Sequence, residues 1–127
     1  MDNLIIRSDR LYRKLQDLEF EIFACRSKLD RARISKNYYR FLVNQHRINL
    51  NELSKDHVTV NMHEYAKIRA EYKHAIFKLE QAEVEHRVYS SFLEKALPRY
   101  MEMKREYDDI INTLSNQKVI LLFKRKK

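Results

Sequence analysis

The residues of this chain that could do chemistry are few, and their spacing limits what that chemistry can be. Histidines stand at 46, 57, 63, 74 and 86, and no two are four apart, the spacing that sets two imidazoles over one metal ion on a helix. Glu83-Val84-Glu85-His86 contains a Glu-x-x-His, but a carboxylate-bridged metal bundle draws two such motifs and two further glutamates from four facing helices. His46 and His86 fall on an apolar seam and read as polar layers within it. Cys25 is the one cysteine. It excludes an intramolecular disulfide and falls on the same seam, where it serves as a small buried hydrophobe. The chain has no glycine, so a phosphate-cradling loop of the usual kind is absent. No catalytic residue, cofactor or metal ion is expected.

The elements that position these residues follow from one rhythm. Leu4, Ser8, Leu11, Leu15, Leu18, Ile22, Cys25, Leu29, Ala32, Lys36, Tyr39, Val43, His46, Leu50 and Leu53 recur at alternating steps of four and three. That is the a/d heptad of a coiled coil. The rhythm lapses over Ser54–Asn61, where Val58, Thr59 and Val60 are β-branched and disfavour helix. Asn61 is placed to cap a second helix, with Glu64 as its capping-box partner. The rhythm then resumes at Tyr65, Ile68, Tyr72, Ala75, Leu79, Ala82, His86, Tyr89, Leu93, Ala96, Tyr100, Met103, Tyr107, Ile110 and Leu114. The expected fold is all-α, a long two-helix antiparallel coiled-coil hairpin with a basic C-terminal tail. Helix 1 is placed over 4–54, the turn over 55–61, helix 2 over 62–118 and the tail over 119–127, in one domain. Helix 1 would run about 75 Å at 1.5 Å per residue. Pro98 falls on the outer face and predicts a bend in helix 2, not its end.

The two runs set each other's register. Pairing a with d across the hairpin brings Ile22 to Ala96, Cys25 to Leu93, Ala32 to His86, Lys36 to Ala82 and Val43 to Ala75, so that large side chains meet small ones. The flanking positions then join Glu21 to Arg99, Lys14 to Glu106 and Arg33 to Glu83, and set Arg47 beside Arg69. Leu4 pairs with Leu114, and residues 115–127 overhang.

Charge is unevenly spread. The net charge of +8 includes +2 in residues 1–14 and +5 in residues 118–127. A third basic zone over residues 26–47 carries seven bases against Asp30, and within it Arg26, Arg33, Arg40 and Arg47 repeat every seven residues at the e position. The chain ends meet at one end of the hairpin. They bring together Arg7, Arg10, Arg13 and Lys14 with Lys118, Leu121, Leu122, Phe123, Lys124, Arg125, Lys126 and Lys127, a basic and apolar surface suited to an acidic or apolar-lined partner. Phe20, Ile34, Phe41 and Ile48 share the outer f column of helix 1, and Phe77 and Val84 share that of helix 2. A column of apolar residues facing water points to a partner, to self-association, or to cover by a third segment. No apolar run approaches the length of a spanning helix, so a cytoplasmic protein without a signal peptide is expected.

Just after the turn, Tyr65-Ala-Lys-Ile68-Arg-Ala-Glu-Tyr72-Lys-His-Ala75-Ile76, followed by Glu85-His86-Arg87, resembles a stretch of the central stalk proteins of type III secretion and flagellar export, the FliJ-like or SctO-like family. The two-helix layout resembles that family over nearly the whole chain. The resemblance implies a non-enzymatic stalk whose termini sit in a hexameric ATPase and whose tip faces a membrane export gate, at the inner face of a bacterial membrane. It assigns gate contact to Tyr65, Ile68 and Tyr72. The expected partners are proteins, the ATPase and the gate, and the isolated chain is expected to be a monomer. Two further readings remain open: a self-assembling structural protein or chaperone using the f column, and, ranked below it, a nucleic-acid-binding coiled coil using the arginine column.

Overall fold

The computed structural model describes residues 2–55 and 62–125, and the side chains of residues 3–55 and 62–117. Helix α1 runs Asp2–Lys55 and helix α2 runs Met62–Arg125. They pack against each other as a two-helix antiparallel hairpin, and no strand occurs among the described residues. The turn expected over 55–61, with its cap at Asn61, lies outside the described residues apart from Lys55.

Both helices are longer than the sequence pattern indicates. Helix α2 continues past residue 118 to Arg125, because nothing in residues 119–125 breaks a helix and basic residues near a C-terminus complement the helix dipole. Pro98 lies inside α2 on its exposed side, where the hydrogen bond it removes is on the water-facing surface. Glu64 in the first turn of α2 and Lys55 in the last turn of α1 each sit at the dipole end that favours their charge.

The chain divides into two compact units. The terminal unit comprises Met1–Cys25 and Ser91–Lys127, and the hairpin unit comprises Arg26–Ser90. In the terminal unit the buried seam is made by Leu11, Leu15, Ile22 and Cys25 of α1 with Leu93, Ala96 and Ile110 of α2. Ser8 is buried among them. Its hydroxyl donates to the Ile5 carbonyl at 2.8 Å, which is how a polar side chain is tolerated there. The Tyr12 and Tyr107 rings meet at 5.9 Å, one residue from the expected register.

The hairpin unit has a different core. Among its described residues only Ala32, Ala75 and Ala82 are buried, while Leu29, Tyr39, Val43, Leu50, Ile68, Tyr72 and Leu79 are half-buried. A single seam between two helices has no second layer to close over it, so a small side chain can be covered entirely and a large one keeps an edge in water. The Lys28 ammonium lies 6.0 Å from the Tyr89 ring, again one residue from the expected register. Lys36, His46 and His86 are half-buried seam residues. Lys36 can lay its methylene stem on the seam and keep its ammonium in water. In both units every expected a and d position is buried or half-buried, and none is exposed.

This register makes a sharp distinction between two alanines on α2. Ala75 is 2% exposed on the seam, whereas Ala70 is exposed on the outer face. Ala75→Leu is expected to destabilise the chain by about 1–3 kcal/mol through overpacking, and Ala70→Leu to stay within about 0.5 kcal/mol. Urea unfolding followed by circular dichroism measures both, and equal midpoints would refute the register.

Candidate partner-binding surface

Arg7, Arg10 and Lys14 follow one another at steps of three and four, so α1 carries them on one face. They line an open groove of about 620 Å³ together with Asn3, Ile6, Leu11 and Glu106. Its lining combines the apolar side chains of Ile6 and Leu11 with the three bases. Among the described residues Glu106 of α2 is the one carboxylate lining the groove, and the Arg7 guanidinium donates to its Oε1. Arg10 and Lys14 are exposed, and among the described residues neither has a carboxylate within ion-pair distance.

The ion pairs differ from those expected. Glu106 takes Arg7 in place of Lys14, one heptad away in the same column. The planar guanidinium fork matches a carboxylate better than an ammonium does, and the swap leaves the register unchanged. Lys14 instead borders a second groove, of about 250 Å³, with Glu21, Arg99 and Met103. Glu21 and Arg99 thus share a groove as expected, but they do not reach ion-pair distance. Arg33 pairs with Asp30 on its own helix at 3.0 Å, not with Glu83, because a neighbour three residues away costs less side-chain ordering than one across the seam. Arg47 and Arg69 are both exposed, free to point their charges into water.

Arg13 is exposed outside the basic groove. Lys118, Leu121, Leu122, Phe123, Lys124 and Arg125 lie on the helical backbone of α2, but their side chains fall outside the described set, and Lys126 and Lys127 lie outside the described residues altogether. Gln117 is half-buried at the d position after Leu114, and its side-chain oxygen is buried with no hydrogen-bond partner among the described residues.

In the hairpin unit Tyr65, Ile68 and Tyr72 are all half-buried on the seam. Ile68 borders a groove of about 360 Å³ with Asn49, Glu52, Leu53 and Glu64, so it offers an edge and not a full side chain. The outer column is open: Phe20 is 73% exposed, Ile34 67%, Phe41 58% and Ile48 45%. Phe77 and Val84 of α2 are exposed as well. The f-column reading missed Phe23, Tyr38 and Ile6, which are exposed too. Ile6 occupies an f position and was legible from the same heptad count. Phe23 and Tyr38 sit at the flanking b and c positions.

Glu83 and His86 are half-buried on α2, and among the described residues no group of three or more His, Cys, Asp or Glu gathers where it could hold a metal ion. Among the same residues no helix is long and apolar enough to cross a membrane. Comparison with protein-family profiles, curated proteins and solved structures found no match.

The Arg7–Glu106 pair is exposed on both sides. A double-mutant cycle of Arg7→Ala and Glu106→Ala is expected to give a coupling below ~1 kcal/mol that shrinks in high salt. A larger, salt-insensitive coupling would show that the groove is shielded from solvent.

Proposed function

We propose that the protein is a non-enzymatic stalk or adaptor of the kind its resemblance to the FliJ-like family implies. Its chain termini engage a hexameric ATPase, and its hairpin turn faces an export gate. The ATPase supplies the nucleotide chemistry, and this chain supplies a surface and a stiff connection. Such a protein works in the cytoplasm, at the inner face of a bacterial membrane.

The observation that carries this reading is the basic groove of the terminal unit. Among the described residues Arg10 and Lys14 present cations with no carboxylate in ion-pair distance, in a groove they share with Ile6 and Leu11. A surface of that kind complements an acidic, partly apolar pore lining. The five bases among residues 118–127 add to the same charge. Long-range attraction of this type speeds encounter and weakens with salt. In the hairpin unit, Tyr65, Ile68 and Tyr72 would offer the gate their exposed edges. The FliJ-like assignment supplies the identity of both partners, and the groove supplies the chemistry of one.

The test is binding to a hexameric secretion ATPase, measured with the full chain, with residues 118–127 deleted, and with Arg10→Glu and Lys14→Glu combined. The deletion leaves the seam intact through Gln117. Each variant is expected to lose about tenfold or more in affinity, with the loss largest at low salt. Unchanged binding in both variants would overturn the placement of the termini in the ATPase.

A further inference from the structure

In the hairpin unit, the outer face of α1 carries a second heptad seam. Ile34, Asn37, Phe41, Asn44, Ile48 and Asn51 recur at steps of three and four, and all are exposed. These are the f and b positions, turned away from the a/d seam that meets α2. One flank of this second seam is lined by Arg33, Arg40 and Arg47, also exposed. The other flank carries Tyr38, whose ring meets Tyr39 edge-on at 5.1 Å, and Gln45. We propose that this face docks an amphipathic helix with an acidic flank, supplied by another protein.

The periodicity argues for a helix. A seam repeating every seven residues stays in contact only with a partner of the same repeat. The layers alternate an apolar side chain with an asparagine, so the partner helix sets apolar groups against Ile34, Phe41 and Ile48 and polar groups against Asn37, Asn44 and Asn51. Buried asparagine layers weaken a coiled coil and restrict its register, which suits a specific, reversible contact. The charge argues for acidity. Residues 26–47 carry seven bases against Asp30 alone, and Asp30 is engaged by Arg33. Among the described residues Arg40 and Arg47 have no carboxylate in ion-pair distance. Glutamates along the partner's flank would satisfy them. A second copy of this chain would instead bring another strongly basic stretch against the first. The outer face of α2 does not offer the same thing: Phe77 and Val84 share it with Lys73, Glu80 and Arg87, a mixed charged surface.

The probe is a fluorescent synthetic peptide of three heptads, its seam alternating leucine and asparagine and its flanks glutamate. A sister peptide carries lysine flanks. Anisotropy titration of the full chain is expected to show one peptide bound per chain, with the lysine peptide about tenfold or more weaker. Phe41→Ser and the double variant Arg40→Glu/Arg47→Glu are each expected to weaken the glutamate peptide about tenfold. Both changes are on exposed residues, and unchanged circular dichroism confirms that the fold is kept. Absence of binding, equal affinity for the two peptides, or indifference to Phe41→Ser would each overturn the proposal. So would sedimentation showing that the chain alone dimerises and that Phe41→Ser dissolves the dimer, which would give the face to a second copy. None of these readouts involves an ATPase, so they stand apart from the function proposed above.

Discussion

The packing of the helices in the hairpin unit rests on Ala32, Ala75 and Ala82, the three residues that are buried there among those described. A methyl group at the seam lets two helix backbones come near, and the larger residue across from it then covers the alanine while staying partly wet itself. Replacing either partner with something larger forces the helices apart, and replacing it with something smaller leaves a void. In the terminal unit the same seam is filled by leucine and isoleucine with Ala96 as the small partner. Among the described residues neither unit buries any large side chain completely. A fold built on one seam has little excess stability to distribute, and it leaves most of each helix surface to solvent.

That surface is where the charges do their selecting. Exposed ion pairs contribute under ~1 kcal/mol each, too little to hold the helices together but enough to disfavour a slipped register. Glu106 shows the tolerance of this scheme. Either Arg7 or Lys14 can serve it, because both stand in one column a heptad apart, and the structure chooses the guanidinium. Arg33 shows its limit, since a carboxylate on its own helix outcompetes one across the seam.

Two surfaces remain that the seam does not use. One is the basic groove of the terminal unit, which Arg10 and Lys14 line together with Ile6 and Leu11. The other is the outer face of α1 in the hairpin unit, in which exposed isoleucine and phenylalanine alternate with asparagine beside a row of arginines. Both are cationic and partly apolar. They differ in kind: the groove gathers charge, whereas the outer face has the periodicity of a helix interface.

The a/d positions and the antiparallel pairing were legible in the sequence, because a heptad repeat encodes which side of each helix must leave water. The outer column of Phe20, Ile34, Phe41 and Ile48 was legible for the same reason. The end of α2 was not, since the absence of a helix breaker permits a helix without requiring one. Gln117 at the edge of the seam was missed because its amide marks no apolar layer. The partner of Glu106, the partner of Arg33, and the gathering of Arg7, Arg10 and Lys14 with Ile6 in one groove were decided only by the tertiary structure. Periodicity specifies which face a side chain leaves from, but where its charge comes to rest depends on side-chain reach and on every competing neighbour in three dimensions.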